Sequence, residues 1–146
     1  MPCAAYLSEL IAISNLSGYS AADTTTVNGS SVDMQNYDGV LFIALFGTPG
    51  TGNTLKAQSS SDDGSADAFA DLAGTSVGVG ASDEVVFLDI KHPPERYVRP
   101  LALRGASSTL VGIWGFRYGP RSLAIDNTTA GTIHGETHDA PAEGTA

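Results

Sequence analysis

The chain has 146 residues and a net charge of −9, with 7 Lys and Arg against 16 Asp and Glu. That length builds one domain with a real hydrophobic core. That charge repels phosphate backbones and anionic lipid surfaces, so neither nucleic acid nor membrane is an expected partner.

Residues 1–16 read as an N-terminal arm. Leu7, Leu10 and Ile11 fall at helical spacing, and Ile13 and Leu16 either extend that stripe or begin an extended segment. The stretch is too short for a stable isolated helix. It packs on its own domain or docks on a neighbouring subunit, with Leu7, Leu10 and Ile11 as the contact residues. Cys3 is the single cysteine, so the fold is expected to need no internal disulfide. No basic stretch followed by an apolar one opens the chain, which predicts synthesis in a cytoplasm without a secretory signal.

Residues 17–121 read as the main domain. Ser17-Gly18-Tyr19-Ser20 and Asn28-Gly29 are turn signals. Val40 to Phe46 is an unbroken apolar run between Gly39 and Gly47. It is far shorter than the roughly 20 residues of a membrane-spanning helix. Its β-branched and aromatic content predicts a strand buried on both faces. Gly47 to Asn53 is glycine-rich but lacks the Lys-Ser/Thr ending and the helix of a phosphate loop, so it reads as a hairpin loop. Leu55 to Ser59 alternates and is expected to pair antiparallel with Val40–Phe46.

Asp62, Asp63, Asp67 and Asp71 follow in an acidic loop. Their oxygens suit calcium, but the spacing does not match the EF-hand, and a solvated loop is the plainer expectation. Phe69 and Leu72 anchor its far end. Thr75 to Val79 reads as a short edge strand and Val85 to Ile90 as a second core strand.

Arg96 to Arg104 and Thr109 to Tyr118 read as a final hairpin, with Pro100 marking an edge or a bulge. On a regular return strand Leu110, Trp114, Phe116 and Tyr118 share one face, with Trp114 expected buried. Arg96, Arg99, Arg104, Arg117 and Arg121 are five of the seven basic residues. They either pair across strands with acids or form a basic contact patch for another subunit. Residues 122–146 read as an extended C-terminal arm with a polar, flexible end.

Reactive constellations are scarce. His134-Gly-Glu136-Thr-His138 has the four-residue histidine spacing of zinc sites, but its glutamate is misplaced and no helical period surrounds it. No serine sits in a nucleophile-elbow pattern, and His92 stands alone before Pro93-Pro94. No catalytic or cofactor-binding residue is expected, and an enzyme is not the favoured reading.

Five segments carry a resemblance. They are Asn36-Tyr37-Asp38-Gly39-Val40-Leu41-Phe42-Ile43, Leu55-Lys56-Ala57-Gln58-Ser59-Ser60-Ser61-Asp62-Asp63, Phe69-Ala70-Asp71-Leu72-Ala73-Gly74, Arg96-Tyr97-Val98-Arg99-Pro100 and Tyr118-Gly119-Pro120-Arg121. In that order they resemble small β-sandwich head decoration (cement) proteins of tailed bacteriophages, encoded beside the major capsid protein. The resemblance implies a structural role on the outside of the virion capsid, with the major capsid protein as partner and a homo-oligomer, trimer or dimer, as the working form. Arms that order on docking and contacts shared over several subunits suit such a role. The expected fold is all-β, an antiparallel sandwich or jelly roll of about seven or eight strands. The competing readings are a head–tail or tail component, a glycan-binding sandwich using exposed Trp114 and Tyr118, and a hydrolase with an unrecognised site.

Overall fold

The computed structural model describes residues 5–146; Cys3 lies outside the described residues. A four-residue helix, α1 (Leu7–Leu10), precedes eleven strands. They are β1 (Ile11–Ser17), β2 (Ser20–Asp23), β3 (Val27–Asn28), β4 (Val32–Asp33), β5 (Gly39–Phe46), β6 (Thr54–Ser60), β7 (Ala70–Asp71), β8 (Val77–Gly78), β9 (Val85–Lys91), β10 (Tyr97–Leu103) and β11 (Ser108–Tyr118). Two antiparallel sheets form a sandwich, as the composition and strand spacing predict. The first sheet runs β1-β11-β5-β9, with β2 also on β11; the second runs β3-β10-β6-β7, with β4 on β10 and β8 on β6. The strand count exceeds expectation because β3, β4, β7 and β8 are two-residue pieces.

The core lies between the sheets. Val40, Phe42, Ala44 and Phe46 of β5 are fully buried against Leu55, Ala57, Val98 and Ala102 of the second sheet, with Leu110 and Ile113 beside them. Burying one such phenylalanine contributes about 1.5–3 kcal/mol. The outer residues of β5 are only half-buried, so β5 alternates and is not buried on both faces. Among the described residues no helix is long and apolar enough to cross a membrane.

Both hairpins expected along the chain are crossings between sheets. β6 pairs with β10, not with β5, so Gly47–Asn53 carries the chain across the sandwich. Asn53 fixes that crossing from a fully buried position: its amide donates to the Pro49 and Gly50 carbonyls at 2.9 and 2.8 Å, and its oxygen accepts from Gly105 N–H at 3.1 Å. β10 and β11 likewise lie in different sheets. Arg104 pins that second crossing. Its guanidinium is buried and donates to the Thr25, Ala21 and Ser108 carbonyls and to the Thr25 hydroxyl, at 2.7–3.0 Å.

Pro100 is on an inner strand, not an edge. Its missing N–H falls in the gap between β4, which covers Tyr97 and Val98, and β3, which covers Leu101 and Ala102. The Gly29 N–H donates to the Pro100 carbonyl in that gap.

A bulge decides the faces of β11. Leu110 pairs with Phe46 but Gly112 pairs with Leu45, so Val111 is the extra residue. The side-chain alternation flips there. Leu110 points inward while Trp114, Phe116 and Tyr118 take the outer face, and Trp114 is half-buried rather than buried.

The 1–16 segment is not an arm throughout. Ile11–Ser17 is a strand of the first sheet, paired with β11 from Ile11↔Tyr118 onward. Among the described residues of this segment, 5–10 stand outside that strand, and Leu7 is 70 % exposed. Among residues 122–146 the segment nearest the domain lies along the free side of β1. Ile125 N–H donates to the Glu9 carbonyl, and the Asn127 side chain donates to the Ile11 carbonyl and accepts from Ile13 N–H.

Candidate interaction surface

The four aspartates of the acidic loop are spent on separate partners. The Asp62 carboxylate accepts from the N–H groups of Ala66, Asp67 and Ser65 at 2.7–3.0 Å. Those bonds, the Ala66 one foremost, hold its carboxyl below the usual range. Asp67 accepts from Ser61 N–H, Asp63 from the Ser31 hydroxyl, and Asp71 from Lys56 and Gln58. Asp62 and Asp67 therefore bond the loop to itself, while Asp63 and Asp71 tie it to Ser31 and to β6. Among the described residues no group of three or more His, Cys, Asp or Glu is placed to hold a metal ion. The tail pair closes on itself, with His138 Nε2 2.9 Å from a Glu136 oxygen.

The arginines do not share one face. Arg99 lies on the second sheet, its guanidinium 4.2 Å above the Phe69 ring and donating twice to Gln58. Arg104 is buried at a crossing. Arg96, Arg117 and Arg121 gather at one end of the sandwich. Arg96 forks onto Asp33 at 2.8 and 2.9 Å. Arg117 stacks 4.5 Å from the Tyr37 ring and donates to the Asp33 carbonyl. Arg121 meets Asp38 at 3.3 Å. A cleft of about 480 Å³ at that end is lined by Arg96, Arg121, Asp38, Glu95 and His92. The Arg96–Asp33 fork holds the Asp33 carboxyl below its ordinary range. These exposed pairs are acid–base matches of modest worth.

The segments that carry the family resemblance meet in two places. Gln58 accepts from Arg99 and donates to Asp71, while Phe69 lies under Arg99. At the other end Asp38 N–H donates to the Tyr118 carbonyl, and Arg121 N–H donates to the Asn36 carbonyl. Each cluster joins residues far apart in the chain, so these motifs work as fold determinants.

The outer face of the first sheet is apolar and open along one side. Pairing sets Phe87, Ile43 and Trp114 in one row, and Val85 beside Leu45 in the next. Leu41 and Phe116 form a third row, which continues onto Ile13 of β1. The inner members shelter one another and are half-buried. On β9 the face stands open, with Val85 65 % and Phe87 62 % exposed. Towards β1 the C-terminal segment leans on this face, forming a cleft of about 380 Å³ lined by Ile13, Ile125 and Ile133.

No family model matches the chain, and no curated protein matches it. It is similar to a solved chain described under "Bacillus endospore appendages form a novel family of disulfide-linked pili", at 16 % identity over 82 % of this chain and 97 % of that one, with a TM-score of 0.47.

Of the contact residues expected from sequence, Leu7 is exposed, Leu10 is half-buried and Ile11 is in a strand. Val85 and Phe87 were the surface residues that sequence reading missed. Their signal is β9 itself: in Val-Val-Phe-Leu-Asp-Ile-Lys every second residue from Val85 faces outward, and the last two of these are Asp89 and Lys91.

Proposed function

We propose that this chain is a structural protein of a bacteriophage virion that binds the outside of the assembled capsid and stabilises it. The observation that carries the reading is the apolar outer face of the first sheet, left open at Val85 and Phe87 on an acidic chain. A contiguous apolar patch rimmed by charge is the mark of a surface that another protein covers. The resemblance of five segments to capsid cement proteins supplies the partner, the major capsid protein. Many copies docked side by side gain from multivalent contact even when each contact is weak, and the net acidity keeps a coated particle soluble.

The test is co-sedimentation of the purified chain with empty phage shells, read together with the melting temperature of the shells. Saturable binding at fixed stoichiometry, with a raised shell melting temperature, is expected. A chain that stays in the supernatant and leaves the shells unchanged overturns the reading.

A further inference from the structure

A sandwich has four lateral edges, and here three are closed. Both edges of the second sheet end in two-residue strands, β3 and β4 on one side and β7 and β8 on the other. Such short pieces are a means of blunting an edge. On the first sheet, the β1 side is met by the chain's own tail through Asn127, and the remaining piece, β2, is four residues long. β9 is the exception. It spans seven residues, pairs with β5 from Gly39↔Lys91 to Leu45↔Val85 without a register shift, and contains no proline. Among the described residues no strand pairs with its other side. Alternate backbone N–H and C=O groups therefore face outward in a straight row, a template for another strand. Beside it an open groove of about 510 Å³ separates β9 from β8, lined by Val77, Val79, Val86 and Leu88.

The charges along this strand select its occupant. It is entered through Asp83-Glu84 and left through Lys91, with Asp89 two residues before that exit, so the entry is acidic and the exit carries the strand's one lysine. An antiparallel strand of the same sequence brings each acidic entry beside the partner's lysine-bearing exit, twice over. A two-fold axis at Leu88 sets Val85 opposite Lys91, Phe87 opposite Asp89 and Glu84 opposite His92. A parallel copy would set like ends together.

We propose that β9 is a dimerisation edge, at which a second copy of this chain adds its own β9 antiparallel about a two-fold axis. The two first sheets then become one continuous sheet of doubled width. Its outer face carries both apolar patches side by side. The interface is isologous and closes on itself, so it yields a dimer and not a filament. It stands without any capsid and does not rest on the reading above.

The experiment uses the full chain alone. Sedimentation equilibrium over a wide concentration range gives the dimer constant, and hydrogen exchange of the β9 amides is followed over the same range. A monomer–dimer equilibrium is expected, with slower exchange at residues 85–91 as dimer accumulates. Lys91→Glu and Glu84→Lys each set like charges together at both ends of the interface. Each is expected to weaken the dimer several-fold, through the like charge gathered at both ends and not through one facing pair, because Glu84 and Lys91 lie on opposite faces of the strand. The double variant, with the charges exchanged, is expected to recover most of the loss. A chain that is monomeric throughout overturns the proposal, as does a dimer whose β9 amides exchange no more slowly than in the monomer. β9 amides that slow only when phage shells are added also overturn it, by making the capsid the occupant.

Discussion

The Tyr118 hydroxyl donates to Asp89 at 2.7 Å, from β11 over β5 to β9. The ring crosses Gly39, where a Cβ would run into it. Glycine is needed there because the sheet spends that position on a neighbour's ring. Burial, and then the Asp89 bond, push the Tyr118 phenol up to about 12 from 10.0. A raised folded-state pKa stabilises the fold fully below the unfolded value and loses that contribution as pH rises through the folded one. Between pH 10 and about 12 the native protein is expected to lose more stability than Tyr118→Phe does. Denaturant midpoints across that window, with tyrosinate absorbance of the native state, check this; parallel pH profiles would refute it.

Gly39→Ala follows from the same contact. The new methyl must evict the Tyr118 ring, so the Asp89 bond goes with it. A loss of about 1–2 kcal/mol is expected, from overpacking and a lost hydrogen bond together. In the Tyr118→Phe background the hydrogen-bond part of that loss should vanish, and a double-mutant cycle measures it. Additive losses would show that the two positions do not communicate.

Arg104 is the residue on which one crossing depends. Its buried guanidinium satisfies three carbonyls from two separated segments. Arg104→Ala leaves those acceptors without a donor and is expected to cost about 3 kcal/mol. Arg104→Lys keeps the charge but not the fork, and should recover less than half of the loss. Urea unfolding at constant slope measures both. A change within about 0.5 kcal/mol, the range of ordinary surface substitutions, would remove Arg104 from this role.

Asp62 organises residues 60–67 through three backbone N–H bonds, and its carboxyl sits below the usual range because of them. A lowered pKa means that the ordering is present above the unfolded value and fades as pH falls through the folded one. Asp62→Asn is expected to speed proteolytic cleavage within 61–67 at neutral pH and to leave cleavage elsewhere unchanged. Adding calcium is expected to change neither chain, because the carboxylate oxygens already hold backbone donors.

The strands were legible in the sequence; their partners were not. Val40–Phe46 and Val85–Ile90 announce themselves by apolar content, because burial selects residue type directly. Which sheet β6 joins depends on whether Gly47–Asn53 doubles back or crosses over. The buried Asn53 amide decides that, from contacts with Pro49, Gly50 and the distant Gly105. A two-residue alternation also assumes an unbroken ladder, so the bulge at Val111 separated Leu110 from Trp114, which were expected to share one face, and turned Trp114 outward. The arginines were legible as charge but not as position. Arg99 and Arg117 differ in face because they sit on strands of different sheets, a fact of topology and not of local pattern.

The open end of the outer face gives the most direct link between structure and proposed role. Val85 and Phe87 are 65 % and 62 % exposed and lie outside the core, so Val85→Ser with Phe87→Ser is expected to shift stability by no more than about 1 kcal/mol. If the apolar face is what phage shells cover, the same pair removes much of the buried apolar area of each contact. At about 25 cal/mol per Å², two such side chains weaken each contact several-fold or more, and multivalent docking multiplies the effect over the copies on a shell. The double variant is therefore expected to fold with a near-native melting temperature while its shell occupancy falls at least tenfold. The measurement is a binding isotherm by co-sedimentation, native against variant. Lys91→Glu runs alongside as a chain altered at the β9 edge with its apolar face intact. Loss of shell binding by the serine pair alone assigns the face to the capsid. Loss by both assigns the requirement to the dimer, and unaltered binding by the serine pair removes the face from capsid recognition.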